Sequence, residues 1–493
     1  MIDYLALAPE IIIAATAVVV LLADLWLVRK HWTAIIAVVG TTAAAIPLIV
    51  MAVSPVGDRL LFDGSYVVDP FALVMKGLFL MAGYVVLLMS FSYVESDRYY
   101  EGEYYFLLLL SILGSLVLAS ARDLIGLFIG IELVASPMYV LAGFRKGDLK
   151  SNEAALKYYL LGVLASALLL YGSSFVFGLT GALTYDGIAS AAGGLVHEPA
   201  FVMAVLFVLA GVGFKVSAVP FHFWAPDTYE GAPTPITAYL SVSSKAAGFV
   251  ALLAVTYRAF GPASATWAPV VWVMAALSMT IANLTALRQD NIVRMLAYSS
   301  ISHAGFMLVP FVVAPYVGAE GLGNAVAATV TYLVIYAFMN LGAFALVIAG
   351  SRKAGSGTVD GWAGMATYAP GLAFLGAVFF FGLAGIPPLA GWFAKFVMFR
   401  VVLTAGSGWA VGLAVIAALN SVVAVYYYAR VVKAMWMDPI PATAPDLEVR
   451  EAAVPMPLAL ALGITAAIVL VVGAVPGLVT FFSDATKTLA GGG

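Results

Sequence analysis

The stretch GVGFKVSAVPFHFWAPDTYEGAPTP, Gly211–Pro235, decides which medium this chain is built for. It continues an almost purely apolar run that begins at Phe201. A cation, Lys215, closes that run, and Pro220 then breaks the helix. Proline lacks a backbone donor and clashes with the preceding turn, so the carbonyls it frees need new partners. In water such partners are everywhere. In lipid they must be protein or trapped water.

Composition names the medium. Of 493 residues, 63% are hydrophobic and only 10% charged. A soluble domain carries about 25% charged residues. Mean hydropathy is +1.04. No globule of this size could hide so much apolar surface from water, so the surroundings are lipid. The net charge of -3 offers no basic field for nucleic acid. With no cysteine, disulfides, thiolate zinc sites, iron–sulfur ligation and thiol nucleophiles are excluded together. The four histidines, at 31, 197, 222 and 303, are too scattered for a metal set. Neither a G-x-G-x-x-G turn nor a Walker loop occurs, so no metal and no cofactor is expected in this chain. The N-terminus, MIDYLALAPE, has no basic n-region, so the first apolar segment is expected to stay as a membrane helix. The longest polar interruption, 438–455, reads as one surface loop.

A spanning helix needs about 20 apolar residues. That rule gives an all-α polytopic membrane protein of about 14 spans: 4–27, 33–54, 70–94, 104–121, 124–143, 155–178, 200–224, 234–258, 269–287, 292–314, 323–350, 370–400, 408–433 and 455–482. Cytoplasmic loops carry the excess of Lys and Arg. With the N-terminus outside, five of the 23 basic residues (Arg59, Arg122, Arg258, Arg400, Lys487) fall on the outer side, against fourteen on the cytoplasmic side. Both termini are therefore expected outside. The other four, Lys76, Lys215, Lys245 and Lys395, lie inside spans. Lys76 is expected near the outer end of its span, where it can snorkel.

The middle of the chain looks doubled. The turn ARD at Ala121–Asp123 precedes span five, and RQDN at Arg288–Asn291 precedes span ten. Span seven carries Pro220 with Trp224 four residues on, and span twelve carries Pro388 with Trp392 four residues on. Two five-helix units follow, and an odd number of spans inverts the second relative to the first. The expected organisation is residues 1–103 as N-terminal helices, 104–260 as the first repeat, 261–437 as the second, and 438–493 as a loop and last helix.

Four charges sit deep in these spans: Glu132 in span five, Lys215 before the first break, Lys245 in span eight and Lys395 after the second break. Each central charge costs about 2.5–3.5 kcal/mol on insertion scales. Four together approach the whole stability of many domains, about 5–15 kcal/mol. The plain alternative is structural: an interhelical ion pair for Glu132 and Lys215, and snorkelling for Lys395. The functional alternative is a proton relay. Burial disfavours a charged lysine and an adjacent carboxylate favours it, so a lysine between these influences can exchange a proton near neutral pH. YSSISH in span ten adds His303, whose imidazole can carry a proton either way. Hydroxyls and amides of spans ten, eleven and thirteen could link such groups.

At these residues the chain resembles the antiporter-like membrane subunits of respiratory complex I, the proton-pumping NADH–quinone oxidoreductase. The likeness covers nearly the whole chain. Its most specific blocks are NEAALKYYLLGVLASALLLYGSSFVFGLTG (152–181), FHFWAPDTYEGAPTPITAYLSVSSKAAGF (221–249) and NIVRMLAYSSISHAGFML (291–308). The chain stops after its fourteenth expected span, so the long lateral helix of the L type is not expected. The M type has a glutamate where Lys395 stands. The resemblance is therefore to the N type. It implies proton translocation through Glu132, Lys215, Lys245 and Lys395, with His303 as a further candidate. It also implies a bacterial inner-membrane location beside other membrane subunits of the complex, related antiporter-like ones among them. Flavin, iron–sulfur clusters and quinone would belong to partner subunits. Two other readings stay open: a subunit of a cation/proton antiporter, and a passive membrane scaffold.

Overall fold

A computed structural model describes residues 3–27, 29, 31–54, 57–96, 101–442, 446, 450 and 452–489. Among them, twelve helices are long and apolar enough to cross a membrane: Tyr4–Trp26, His31–Val53, Pro70–Glu95, Gly102–Ser120, Leu124–Ala142, Leu149–Thr180, Thr234–Ala259, Gly261–Ala286, Ile292–Tyr316, Ala319–Ala354, Gly408–Met437 and Met456–Ala474. They correspond to expected spans one to six, eight to eleven, thirteen and fourteen.

Spans seven and twelve are each divided. Span seven is Pro199–Lys215 and Trp224–Gly231, and span twelve is Pro370–Ala384 and Gly391–Thr404. Span seven thus runs past the expected end at 224, because its helix resumes after the break. At the first break Ser217 adopts φ 60, and at the second Gly385 adopts φ 87. Only glycine takes that left-handed conformation without steric cost.

Matching features recur in the two repeats. Asp123 caps span five and Asn291 caps span ten, each through its side chain. Left-handed Gly181 and Gly355 end spans six and eleven. Asp123 bridges to Thr184, and Asn291 bridges to Thr358. Asp123 and Asn291, Pro220 and Pro388, and Trp224 and Trp392 are separated by the same interval in sequence.

The polar contacts sort to two faces. On one, Asp3 pairs with Arg59, the Arg122 amide donates to the Ser65 carbonyl and the Tyr185 amide donates to the Arg122 carbonyl. Arg258 reaches both Asp186 and the Leu489 carbonyl there, so Asp3 and Leu489 lie on this face. On the other face, Arg145 bonds Tyr93, Arg294 bonds Asp227 and Arg352 donates to the Ser92 carbonyl. Residues 443–445, 447–449 and 451 of the expected 438–455 loop, and Lys30 and Arg98 of the basic count, lie outside the described residues.

Span eight is buried along its length, and spans ten and eleven nearly so. Spans one, two, six and thirteen present apolar side chains outward, among them Val39, Leu160, Tyr171 and Val422. This is the arrangement lipid requires: apolar periphery, polar groups inside.

Three further features differ from expectation. A two-stranded hairpin, Arg59–Leu61 with Tyr66–Val68, joins spans two and three. Span fourteen ends at Ala474, and Gly477–Asp484 forms a separate short helix. Lys76 does not snorkel. It is fully buried and pairs with Glu10 of span one at 2.8 Å. The Tyr66 hydroxyl donates to the same carboxylate oxygen at 2.7 Å and accepts from Lys76 at 2.8 Å. A partner within reach removes the reason to stretch toward water.

Candidate functional site

The first buried cation stands where span seven breaks. Lys215 is the last residue of Pro199–Lys215, and its Nζ lies 3.6 Å from Glu132 Oε1. It also donates to the Tyr139 hydroxyl at 3.3 Å. Ser166 of span six donates a short hydrogen bond to the same carboxylate oxygen. The break serves the site directly, because the freed Phe214 carbonyl accepts from Trp224 Nε1 at 3.1 Å. The Val219 amide finds Ser278 Oγ at 2.9 Å. Glu132 is unlike its partner in exposure: its side chain is 26% accessible, whereas that of Lys215 is 5%.

Span eight carries the second cation. A π-helical turn, Leu240–Ser244, immediately precedes Lys245. Such wide turns insert one residue and are frequent at functional positions. Lys245 is 2% exposed and has no carboxylate partner among the described residues; its Nζ donates to the Ser300 carbonyl at 2.6 Å and to Ser300 Oγ at 2.5 Å. Gly248, one turn on, lies against the backbone of Lys215. A Cβ there would stand 3.0 Å from the Lys215 carbonyl carbon and 3.1 Å from its Cβ. The glycine lets the two lysine-bearing helices meet.

The third cation follows the break in span twelve. Lys395 is buried, and its Nζ donates to the Ala384 carbonyl at 2.7 Å. That carbonyl belongs to the last residue before the break, so the break creates the acceptor. Lys395 also stands over the Phe306 ring, 5.0 Å from its centroid. A cation over an aromatic face gains about 0.5–2 kcal/mol.

His303 lies between the second and third cations. Its Nδ1 is 3.0 Å from the Tyr332 hydroxyl and its Nε2 is 3.2 Å from the Tyr428 hydroxyl. Tyr428 makes a short hydrogen bond with Ser299. With both nitrogens on hydroxyls that can donate or accept, either tautomer is satisfied. On span ten His303 stands between Ser300, which Lys245 meets, and Phe306, over whose ring Lys395 stands. Buried polar atoms without protein partners lie near this row, among them Ser302 Oγ and Asn340 Oδ1. Buried polar groups are normally hydrogen-bonded, so such atoms mark positions suited to water.

The structure thus brings Glu132 and Lys215 together, places Lys245 against span ten and Lys395 against Phe306, and sets His303 among hydroxyls. Ser300 is among the span-ten hydroxyls that the sequence offers as relay links, but as one of three uncharged serines in YSSISH nothing marks it as the partner of Lys245. One group was missed. Asp227 and Glu230 form an ion network at the end of the broken span. Asp227 accepts from Lys157 of span six at 2.7 Å and from Arg294 of span ten at 2.9 Å. Glu230 accepts from Lys150 at 3.0 Å and from Arg294 at 2.9 Å. The signal available was the acidic pair in WAPDTYEG facing the basic starts of spans six and ten.

Residues 121–421 match the family described as NADH:quinone oxidoreductase/Mrp antiporter, transmembrane. NADH-quinone oxidoreductase subunit N of Trichlorobacter lovleyi is 40% identical over 484 residues, covering 97% of this chain and 95% of that one. A chain of respiratory complex I from Thermus thermophilus superposes with TM-score 0.78 at 31% identity, over 96% of this chain and 98% of that chain. A chain of the Mrp complex from a Dietzia species superposes with TM-score 0.83 at 20% identity, over 99% and 97%, and shares the fold.

Proposed function

Because this chain belongs to the NADH:quinone oxidoreductase/Mrp antiporter family, with the N-type membrane subunits of complex I as its relatives, we propose that it carries protons across the bacterial inner membrane. Redox chemistry in partner subunits drives it. The carrying observation is the row of buried lysines at the membrane interior, each with a different kind of partner: a carboxylate for Lys215, a serine for Lys245, a backbone carbonyl for Lys395. Burial without neutral solvation is what lets such a cation give up a proton.

In this reading Glu132 and Lys215 take one end of the path, Lys245 is the junction between the repeats, and His303 with water links Lys245 to Lys395. Lys245 lies eleven residues beyond Thr234, about 16 Å along the helix at 1.5 Å per residue. That is near the middle of a core about 30 Å thick. Flavin, iron–sulfur clusters and quinone reside on the other subunits, and both termini face outward. The expected division into residues 1–103, 104–260, 261–437 and 438–493 goes with this reading, the two middle units being the halves of the path.

The test begins with mild solubilisation. The chain should migrate with NADH-oxidising subunits, and Lys395→Ala should lower the protons moved per NADH without loss of assembly. A chain that migrates apart from them, with transport that responds to sodium, would overturn this in favour of a cation/proton antiporter.

A further inference from the structure

Counted by the interval that relates Pro220 to Pro388 and Asp123 to Asn291, Ser300 stands in the second repeat where Glu132 stands in the first. Each residue faces a buried lysine: Glu132 faces Lys215 at 3.6 Å and Ser300 faces Lys245 at 2.5 Å. Glu132 pairs within its own repeat. Ser300 reaches across, so its bond to Lys245 is a direct polar link between the two repeats.

We propose that Ser300 is the positioning residue of Lys245, a hydroxyl that keeps the lysine hydrogen-bonded both with and without its extra proton. The proposal rests on the relay reading above. An ammonium has three donors and no acceptor, and an amine has gained a lone pair. The Ser300 carbonyl and an ionised carboxylate can only accept. The Ser300 hydroxyl does both: it accepts from the ammonium and, after rotation, donates to the amine. A carboxylate at this position could accept from either form but would donate nothing to the amine's lone pair. The first repeat, with Glu132, therefore favours its charged lysine by an opposite charge, and the second, with Ser300, supplies a hydroxyl suited to both forms.

The titratable groups around the pair come from five elements. Lys215 of span seven packs one turn away, at Gly248. Tyr158 of span six approaches neighbouring Ser244. Tyr229 of the second piece of span seven and Tyr336 of span eleven approach Ser300 itself. His303 lies on the same helix as Ser300, one turn on. None is a carboxylate, and among the described residues the hydrogen bonds of Lys245 Nζ go to the two oxygens of Ser300 rather than to any of these groups.

The experiment uses the intact complex in vesicles and reads protons moved per NADH as a function of pH, with assembly checked by comigration. Ser300→Ala keeps the carbonyl and removes the hydroxyl. Pumping should fall several-fold with a narrowed pH profile, and Ser300→Thr should restore both. Ser300→Glu should move the alkaline limb of the profile up by about 1–3 pH units, the usual effect of an adjacent opposite charge. Lys245→Ala separates the two readings. If that variant stops pumping while Ser300→Ala keeps the wild-type yield and pH profile, the role of Ser300 is overturned and the relay stands. If Lys245→Ala itself pumps normally, the relay fails and the role of Ser300 fails with it. Loss in Ser300→Ala that Thr does not restore, with an unmoved pH profile, would make Ser300 a packing residue and overturn the proposal.

Discussion

At the scale of single residues, the membrane makes each buried charge informative. Glu132 approaches Lys215, the Tyr139 hydroxyl accepts from the same ammonium, and Ser166 donates to the Glu132 oxygen that the ammonium approaches. Glu132→Gln should leave this packing in place while removing the charge. Proton yield per NADH should then drop several-fold with the complex still assembled; unchanged yield would reduce the pair to a structural contact. The pair was legible in sequence because a charge inside an apolar run has few alternatives. Lys245 was legible for the same reason, but its partner was not, since nothing distinguishes Ser300 from Ser299 and Ser302 before the helix faces are known. Glu10 escaped notice because it sits near the start of span one, 7% exposed, and its partner Lys76 arrives from span three.

At the scale of elements, the two broken helices carry the site. Their prolines and following tryptophans gave them away in the sequence. The exact course of the breaks was hidden, because φ 60 at Ser217 and the return to helix at Trp224 depend on tertiary contacts such as the Ser278 bond. The small hairpin at Arg59–Leu61 was hidden too: three residues per strand leave no usable alternation. The second break offers a clean test. Gly385 has φ 87, and a Cβ there would lie 3.0 Å from Lys395 Cδ and 3.2 Å from its Nζ. Gly385→Ala should therefore cost about 1–3 kcal/mol in stability through backbone strain. It should also displace the ammonium from the Ala384 carbonyl. A lowered melting temperature together with reduced proton yield is the expected outcome in purified complex. Wild-type values of both would mean the glycine is incidental.

At the scale of the whole molecule, the fold was largely legible. Apolar runs of the right length, two paired breaks and loop charges of one sign specify a polytopic helical protein with an internal repeat. Sequence could not place the helices around one another, so it could not show that spans eight, ten and eleven form the buried centre. Asp3 and Leu489 share the face of Arg59, Arg122 and Arg258. We propose, from the distribution of basic residues, that this face is the outer one. A cysteine introduced at Ala442, in a chain with none of its own, should stay unlabelled by an impermeant thiol reagent in intact cells and react after permeabilisation. Labelling in intact cells would invert the orientation.

We propose that Lys245 passes protons between the repeats, and proton uptake and NADH–quinone turnover recorded together in vesicles carrying the complex put this to the test. Lys245→Ala should strongly lower protons moved per electron in an assembled complex. Lys245→Arg should fail to restore them, because a guanidinium keeps its proton in proteins. Normal pumping per electron in both variants would contradict the account and leave Lys245 as a structural cation.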